Sequence, residues 1–195
     1  MTDIKFDPKK LAKLNNPERL KAQDPDKYWD QLDLPENPVI VDLGCGTGFF
    51  SVEFLRRAKG PNAQVFGLDI AQIMLDWIAE NRAEYQEGRL VTGLMQEANI
   101  PLEDDLADLL VMINLHHELH RPTPLLEECF RVLKEGAKIL IIDWKPTEMP
   151  QGPPLKIRVA PEKVVEQLTH SGFEQARDLQ LYENFYAVLA LKPEA

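Results

Sequence analysis

The feature that most constrains the fold of this chain is a glycine-rich turn at residues 42–48. The turn reads Asp-Leu-Gly-Cys-Gly-Thr-Gly and follows the apolar run Val39-Ile40-Val41. An uninterrupted apolar run is typical of a strand buried on both faces, and residues 49–59 carry apolar side chains at helical spacing. Glycine tolerates positive φ and lets a ligand approach the bare backbone. We therefore predict a strand–turn–helix unit in which the turn and the start of the helix bind a ligand.

The rest of the chain alternates between strand and helix patterns. Further strands are predicted at 64–68, 90–94, 106–113 and 138–143, and helices at 71–85, 124–133 (capped beyond its end by Gly136) and 161–171. This alternation implies right-handed crossovers and an α/β fold, with a doubly wound, mostly parallel sheet and helices on both faces. Residues 174–181 and 185–191, separated by Glu183-Asn184, predict an antiparallel hairpin at the C-terminal end.

Residues 1–38 differ from the rest because they are polar and contain five prolines. They predict short helices at 8–14, 17–23 and 26–32, joined by turns. We expect these residues to form a helical arm or lid over the main domain, residues 39–195. Tyr28 and Trp29 are the arm's candidate ligand-facing aromatics, and packing under the sheet is the alternative.

Charge and composition indicate which kinds of partner and which cellular compartment to expect. The net charge is −10, which disfavours a nucleic-acid substrate. No apolar stretch approaches the roughly 18 residues of a membrane span, and residues 1–10 lack the apolar core of a signal peptide. We therefore expect a cytoplasmic protein without stable membrane insertion. Cys45 and Cys129 form no CxxC pair, so neither a disulfide framework nor a metal site is expected.

Glycine spacing indicates which ligand the turn binds. The dinucleotide fingerprint is GxGxxG, whose last glycine allows close helix packing near a pyrophosphate. Here the spacing is GxGxG, and the bulky Phe49 and Phe50 follow directly. This pattern suits a ligand without a pyrophosphate and argues against a nicotinamide-dependent oxidoreductase. A tight turn that binds no ligand is the other alternative.

The segment Val-Asp-Leu-Gly-Cys-Gly-Thr-Gly at 41–48 resembles the first motif of class I S-adenosylmethionine-dependent methyltransferases, and the resemblance extends over 39–192. It implies a Rossmann-like seven-stranded sheet in the order 3-2-1-4-5-7-6. It also implies S-adenosylmethionine as cofactor, S-adenosylhomocysteine as product, and a small-molecule acceptor with an O, N or C nucleophile. Residues 133–143 are similar to quinone-biosynthesis and arsenite methyltransferases. Arsenic chemistry needs several thiolates, so two cysteines argue against an arsenite enzyme.

The resemblance also implies roles for individual residues. Asp42 would lie beneath the ammonium group, and Asp69 would bind the ribose hydroxyls unless it only caps the helix after it. Ile70 would cover an adenine face, while Glu97 (or Gln96) and the backbone of Ala98 would contact the adenine amino group. The implied cofactor-binding residues are Asp42, Gly44, Cys45, Gly46, Gly48, Asp69, Ile70, Glu97, Ala98 and Asn114.

Catalytic candidates follow the fourth strand. His116 and His117 lie in a loop at the carboxyl edge of the sheet, where an imidazole could take a proton from the acceptor. Packing of the loop is the alternative role for either ring. A metal site built from these two and His120 is disfavoured, because adjacent residues on one turn cannot easily point at one ion.

Trp144, Met149 and Leu155 belong to a proline-rich loop at the same edge and are candidates for the acceptor pocket. A non-catalytic, cofactor-binding partner protein with the same fold is the alternative function, and turnover with an acceptor distinguishes it from an enzyme. The sequence leaves a homodimer open.

Overall fold

A computed structural model describes residues 8–194, with side chains from Leu11 onward. Its centre is a seven-stranded sheet in the order β3-β2-β1-β4-β5-β7-β6. The strands are β1 Val39–Leu43, β2 Gln64–Asp69, β3 Leu90–Leu94, β4 Ala107–Ile113, β5 Leu133–Trp144, β6 Glu174–Asp178 and β7 Phe185–Leu191. Strands β1 to β5 pair in parallel, and β7 pairs antiparallel with β5 and β6. The predicted fold class, strand order and C-terminal hairpin are confirmed.

Helices cover both faces of this sheet. They are α1 Pro8–Leu14, α2 Glu18–Ala22, α3 Trp29–Leu32, α4 Phe49–Arg57, α5 Gln72–Asn81, α6 Ala83–Gln86, α7 Pro122–Val132 and α8 Pro161–His170. Side chains alternate along a strand, so Leu109 and Val111 of β4 pack with α4 and α5. Leu110 and Met112 pack with α7 and α8 on the other face. This two-sided burial explains the continuous apolar runs of the central strands.

The N-terminal helices are attached to one of these two cores. Tyr28 and Leu32 are almost completely buried and join the apolar cluster of α4 and α5. The Trp29 ring stacks on Phe54 with 6.1 Å between centroids. Packing, the alternative considered for both aromatics, is therefore what the structure shows. Within the described residues, no helix combines the length and apolarity needed to cross a membrane.

Two predicted helices are interrupted. The helix predicted at 71–85 is split into α5 and α6 at Arg82, whose backbone is extended with φ −108° and ψ 120°. The Arg82 side chain donates through Nε to the Thr47 carbonyl at 2.9 Å, a tertiary contact that local spacing cannot reveal. The helix predicted at 26–32 is a 3₁₀ turn, Pro25–Lys27, followed by α3, with a break at Tyr28.

The prediction that Gly136 caps the preceding helix is wrong. Helix α7 ends at Val132, and the extended Leu133 already begins β5. Pairing with β4 shifts register between Leu133 and Lys138, and Gly136 lies in this irregular stretch with φ 73°. Its N–H donates to the Lys192 carbonyl at 2.9 Å. The glycine therefore permits a bulge inside a strand rather than a helix terminus.

Candidate functional site

A cavity of about 390 Å³ lies at the carboxyl edge of the parallel strands. It is lined by the glycine turn, by the ends of β2 and β4, and by part of the N-terminal arm. Its volume is in the range of small-ligand sites, and this edge of an open α/β sheet is where ligands bind. Its lining includes the charged, polar and glycine-turn residues Arg19, Asp42, Gly44, Cys45, Gly46, Asp69, Glu97, Asn114 and Glu118, together with Ile70.

The glycine turn needs glycine for two different reasons. Gly44, Gly46 and Gly48 all have left-handed φ values, between 55° and 66°. A Cβ on Gly46 would meet only the Leu14 side chain, at 3.8 Å, so the cavity reaches bare backbone there. A Cβ on Gly48 would lie 3.3 Å from both Ile78 and Leu90. Gly48 therefore faces the core at the start of α4 and does not line the cavity, unlike Gly44 and Gly46.

Asp69 is the acid that ends β2, and its side chain is 9% exposed at the cavity wall. Its Oδ2 accepts a hydrogen bond from Gly46 N at 2.9 Å, and its Oδ1 accepts from Ala71 N at 2.9 Å. The carboxylate thus holds the glycine turn against the start of the next loop. Asp69 lines the cavity, but it does not cap α5, whose N-cap residue is Ala71 and which receives no hydrogen bond from a capping side chain. Binding of the ribose by Asp69 stays a prediction.

Asp42 is a second acid in the cavity wall and is 3% exposed. Its Oδ2 accepts a hydrogen bond from Ser51 Oγ at 2.5 Å. Burial raises the pKa of Asp42 to about 7, an effect to which Asp69 adds and which Ser51 and Arg19 oppose. Both protonation states of Asp42 are therefore populated near pH 7, and a cation placed beside it would favour the ionised form.

Arg19 is a residue of this site to which the sequence patterns assign no role. Its guanidinium lies 5.3 Å from the Phe49 ring centroid and 4.8 Å from that of Phe50, and it donates to the Leu14 carbonyl. Burial lowers its pKa to about 10, and the charge of Asp42 opposes that change. Among the described lining residues, it is the cation that faces the acids. Only tertiary packing of the arm brings it there, so no local signal could have identified it.

Four other predicted binding residues have different placements. Cys45 lines the cavity, and burial raises the pKa of its thiol well above the usual value. Ile70 also belongs to the lining although it is 67% exposed, which places it at the mouth. Glu97 is part of the lining, whereas the neighbouring Ala98 is exposed and outside it. The structure thus brings the first three to the cavity and leaves Ala98 beside it.

Asn114 lies in the lining directly after β4, with φ 59°. Its N–H donates to the Ile142 carbonyl at 2.8 Å. Its side-chain amide forms a reciprocal pair with the amide of Gln23, with N···O distances of 3.0 and 3.1 Å. Gln23 belongs to the arm and is another residue of this site that the sequence patterns do not single out.

The two catalytic candidates lie behind the wall of the cavity. His116 is 1% exposed, and neither ring nitrogen has a hydrogen-bond partner among the described residues. Burial lowers its pKa, an effect that nearby Asp143 opposes. Neither His116 nor His117 belongs to the lining, although Leu115 and Glu118 on either side do. The geometry fits His116 as a packed, neutral ring.

His117 is tied to the buried Asp143 at the end of β5. Its backbone N–H donates to Asp143 Oδ2 at 3.0 Å, and its Nδ1 lies 2.8 Å from Oδ1. Burial acts to lower the pKa of His117, but the hydrogen bond and charge of Asp143 outweigh it, so the pKa is raised. This pairing leaves Nε2, 3.8 Å from Glu118 Oε1, as the free nitrogen. Catalysis by either histidine stays a prediction.

The proline-rich loop after β5 lies apart from this cavity. Met149 and Leu155 line a separate surface pocket, and Trp144 lines neither. The Arg158 guanidinium holds the loop by donating to carbonyl oxygens within residues 145–153 and lies 5.5 Å from the Trp144 ring centroid. The three acceptor-pocket candidates are thus not brought to the main cavity. In the part of the chain that is described, no three His, Cys, Asp or Glu side chains are grouped to hold a metal ion.

Comparison with known proteins agrees with this geometry. Residues 40–136 match the family described as methyltransferase domain. The chain is 32% identical over 123 residues to the mitochondrial 2-methoxy-6-polyprenyl-1,4-benzoquinol methylase of Caenorhabditis elegans, covering 61% of this chain and 42% of that protein. It is 28% identical to a demethylmenaquinone methyltransferase of Lactiplantibacillus plantarum, covering 62% of this chain and 51% of the relative. The chain thus spans about half the length of these curated relatives.

A solved structure matches over a larger share of the fold. The crystal structure of a SAM-dependent methyltransferase from Aquifex aeolicus is similar with a TM-score of 0.86 and 31% identity. That match covers 96% of this chain and all of the other. The predicted family is therefore confirmed, and with it the predicted type of cofactor. The chain belongs to the S-adenosylmethionine-dependent methyltransferases.

Proposed function

We propose that this chain binds S-adenosylmethionine in the 390 Å³ cavity and transfers its methyl group to a small-molecule acceptor. The observation that carries the proposal is the arrangement of Asp42, Asp69 and Arg19 around a glycine turn with bare backbone at Gly46. The cofactor presents an ammonium, a ribose diol and a carboxylate. Each of these groups has a partner of suitable chemistry in this one cavity.

Each charged residue is assigned one part of the cofactor. Asp42 would accept from the ammonium, which stabilises its ionised form. Asp69 would accept from the ribose hydroxyls, and Arg19 would bind the carboxylate. Ile70 and Glu97 line the cavity beyond Asp69, where the adenine would lie. Gly48 and Ala98 would act on the shape of the turn and loop rather than by direct contact.

Catalysis here requires mainly alignment and the exclusion of water. The cofactor supplies an activated methyl on sulfur, and S-adenosylhomocysteine is released. The protein holds the acceptor in line with the sulfur–methyl bond and excludes water from the site, which provides much of the rate enhancement in such reactions. Arg19 belongs to the arm and lies over the rings of Phe49 and Phe50, which directly follow the glycine turn at the start of α4. If the acceptor carries a proton, His117 held by Asp143 is the candidate base, and the neighbouring Glu118, 3.8 Å from its Nε2, lines the cavity.

A small-molecule acceptor is favoured by the charge of the chain and by the names of the two relatives described above. The net charge of −10 opposes binding to nucleic-acid phosphates. The two curated relatives are named for quinone or quinol substrates, so a demethylated quinol is the first acceptor to test. A cytoplasmic location, a homodimer and the absence of a nucleic-acid partner stay predictions of the sequence, as does the boundary between the arm at 1–38 and the domain at 39–195.

The test is transfer of radiolabelled methyl from S-adenosylmethionine to a panel containing a naphthoquinol, a benzoquinol, a catechol, an amine and bulk tRNA. The proposal expects labelling of at least one small acceptor, and loss of that labelling in Asp69→Asn. Labelling of tRNA alone would contradict the small-molecule assignment. Tight binding of S-adenosylhomocysteine with no turnover on any acceptor would favour the alternative function, a non-catalytic partner protein.

A further inference from the structure

One turn of the N-terminal arm contacts both walls of the cavity. Helix α2 is short and lies between Pro17 and Pro25, and the Gln23 N–H donates to the Arg19 carbonyl at 2.8 Å. Arg19 lies over Phe49 on the glycine-turn side. Gln23 is the C-cap residue of α2, with a non-helical backbone, and it reaches Asn114 at the end of β4.

The contact between Gln23 and Asn114 is specific in both directions. Gln23 Nε2 donates to Asn114 Oδ1 at 3.1 Å, and Asn114 Nδ2 donates to Gln23 Oε1 at 3.0 Å. Gln23 is 1% exposed, so water cannot replace its partner without cost. Rotating either amide by half a turn would place nitrogen against nitrogen. The pair therefore couples the orientation of the Asn114 amide to that of the Gln23 amide.

The same arm is fastened to the glycine turn by a second polar cluster. Asn15 Oδ1 accepts from Thr47 Oγ1 at 3.0 Å and from Arg82 at 2.7 Å. Arg82 also donates to the Thr47 carbonyl. The arm is thus attached by hydrogen bonds to the glycine turn through Asn15 and to the end of β4 through Gln23. Along the chain, these two attachments come before and after Arg19.

We propose that Gln23 is a positioning residue for the reaction, which acts through Asn114 and makes the docked arm a condition for an ordered site. This inference rests on the proposed function. An amide carries two N–H donors and two acceptor lone pairs, and the pair uses one of each on Asn114. The second Nδ2 hydrogen and the remaining Oδ1 lone pair are left to meet the cofactor or acceptor. Gln23 itself does not line the cavity.

The test is a double-mutant cycle on S-adenosylhomocysteine binding, measured by calorimetry with Gln23→Leu, Asn114→Ala and the double variant. Gln23→Leu keeps most of the buried volume and removes both hydrogen bonds. We expect it to weaken binding about tenfold, in the range for loss of a buried polar pair. Asn114→Ala should weaken binding at least as much, and the double variant should be no weaker than Asn114→Ala. Lys21→Gln, an exposed change on the same helix, is the matched control and should bind like the wild type.

A spectroscopic readout separates positioning from a loss of fold. In ¹⁵N-labelled protein, the two Asn114 Nδ2 protons should shift in Gln23→Leu and stay in place in Lys21→Gln, with backbone spectra otherwise retained. If Gln23→Leu does not fold, Gln23→Met replaces it in the cycle.

Three outcomes have distinct meanings. Unchanged binding in Gln23→Leu, or equal weakening by Gln23→Leu with and without Asn114→Ala, would overturn the positioning role. Absence of binding in the wild-type protein would overturn the proposed function, and the inference with it. Weakening that disappears in the Asn114→Ala background would support both.

Discussion

The protonation state of Asp42 should make the affinity for the cofactor depend on pH. Burial raises its pKa to about 7, so the carboxyl is largely protonated below that pH in the unliganded protein. Our proposal places the cofactor ammonium beside it, and that cation stabilises the carboxylate. Binding below pH 7 must then release a proton from Asp42. The affinity for S-adenosylhomocysteine should therefore rise as the pH rises through 7.

The size of this effect follows from the pKa. For a group with a pKa of about 7, the ionised fraction is about 0.09 at pH 6 and about 0.76 at pH 7.5. If only the ionised form binds the ammonium, the dissociation constant should fall about eightfold between these two values. The raised pKa has the opposite effect on folding, because the free energy of unfolding should fall as the pH rises from about 4 through 7. In this range the unfolded carboxyl has already ionised, whereas the folded Asp42 still holds its proton.

The assay is calorimetric titration with S-adenosylhomocysteine at pH 6.0, 6.5, 7.0 and 7.5 at constant ionic strength. Asp42→Asn should bind more weakly at pH 7.5 and should lose the pH dependence. As a ligand control, 5′-methylthioadenosine has no amino-acid part, so its affinity should not rise with pH. An affinity in the wild-type protein that is flat, or that falls, between pH 6 and 7.5 would refute the assignment of Asp42 to the ammonium.

Three further predictions concern Arg19, Gly48 and Tyr28. In a calorimetric titration, Arg19→Met should lower the affinity for S-adenosylhomocysteine about tenfold or more, because a charge-assisted hydrogen bond is lost. The affinity for 5′-methylthioadenosine should change by no more than about twofold. Equal losses of affinity for both ligands would contradict the role of Arg19 in binding the carboxylate. Gly48→Ala forces a side chain into a left-handed backbone with Ile78 and Leu90 at 3.3 Å, so the free energy of unfolding in urea should fall by about 1–3 kcal/mol. Tyr28 is fully buried, and its hydroxyl has no hydrogen-bond partner among the described residues. Tyr28→Phe should therefore leave the free energy of unfolding in urea unchanged or raise it by about 1 kcal/mol. A clear loss of stability would mean that the hydroxyl has a partner.

Most of the fold could be predicted because its signals are local. The buried runs of β1 and β4 and the glycine turn mark a parallel sheet directly, and Phe185–Leu191 matches its predicted bounds. The errors arise where distant residues determine the backbone. Arg82 breaks a helix to reach Thr47, and Gly136 serves a bulge opposite Lys192. Neither contact has a signature in local spacing.

The candidate site divides in the same way. Asp42, Asp69 and the glycines are adjacent to strand ends, so motif and topology together predict their positions. Arg19 and Gln23 reach the cavity only because the arm packs across it, and they are far in sequence from the residues they contact. His116 and His117 follow β4 as expected, but the 3₁₀ turn His116–Glu118 directs Glu118 rather than either ring to the cavity lining.

We propose that this cavity binds S-adenosylmethionine through Asp69 and its neighbours. The most direct test is calorimetric titration of ligand-stripped protein with S-adenosylhomocysteine and NAD, repeated on Asp69→Asn after circular dichroism has shown the variant to be folded. We expect the protein to bind S-adenosylhomocysteine and not NAD, and we expect the variant to bind S-adenosylhomocysteine about tenfold or more weakly. Binding of NAD in place of S-adenosylhomocysteine, or an affinity for S-adenosylhomocysteine that Asp69→Asn leaves unchanged, would refute the assignment of Asp69 to the cofactor.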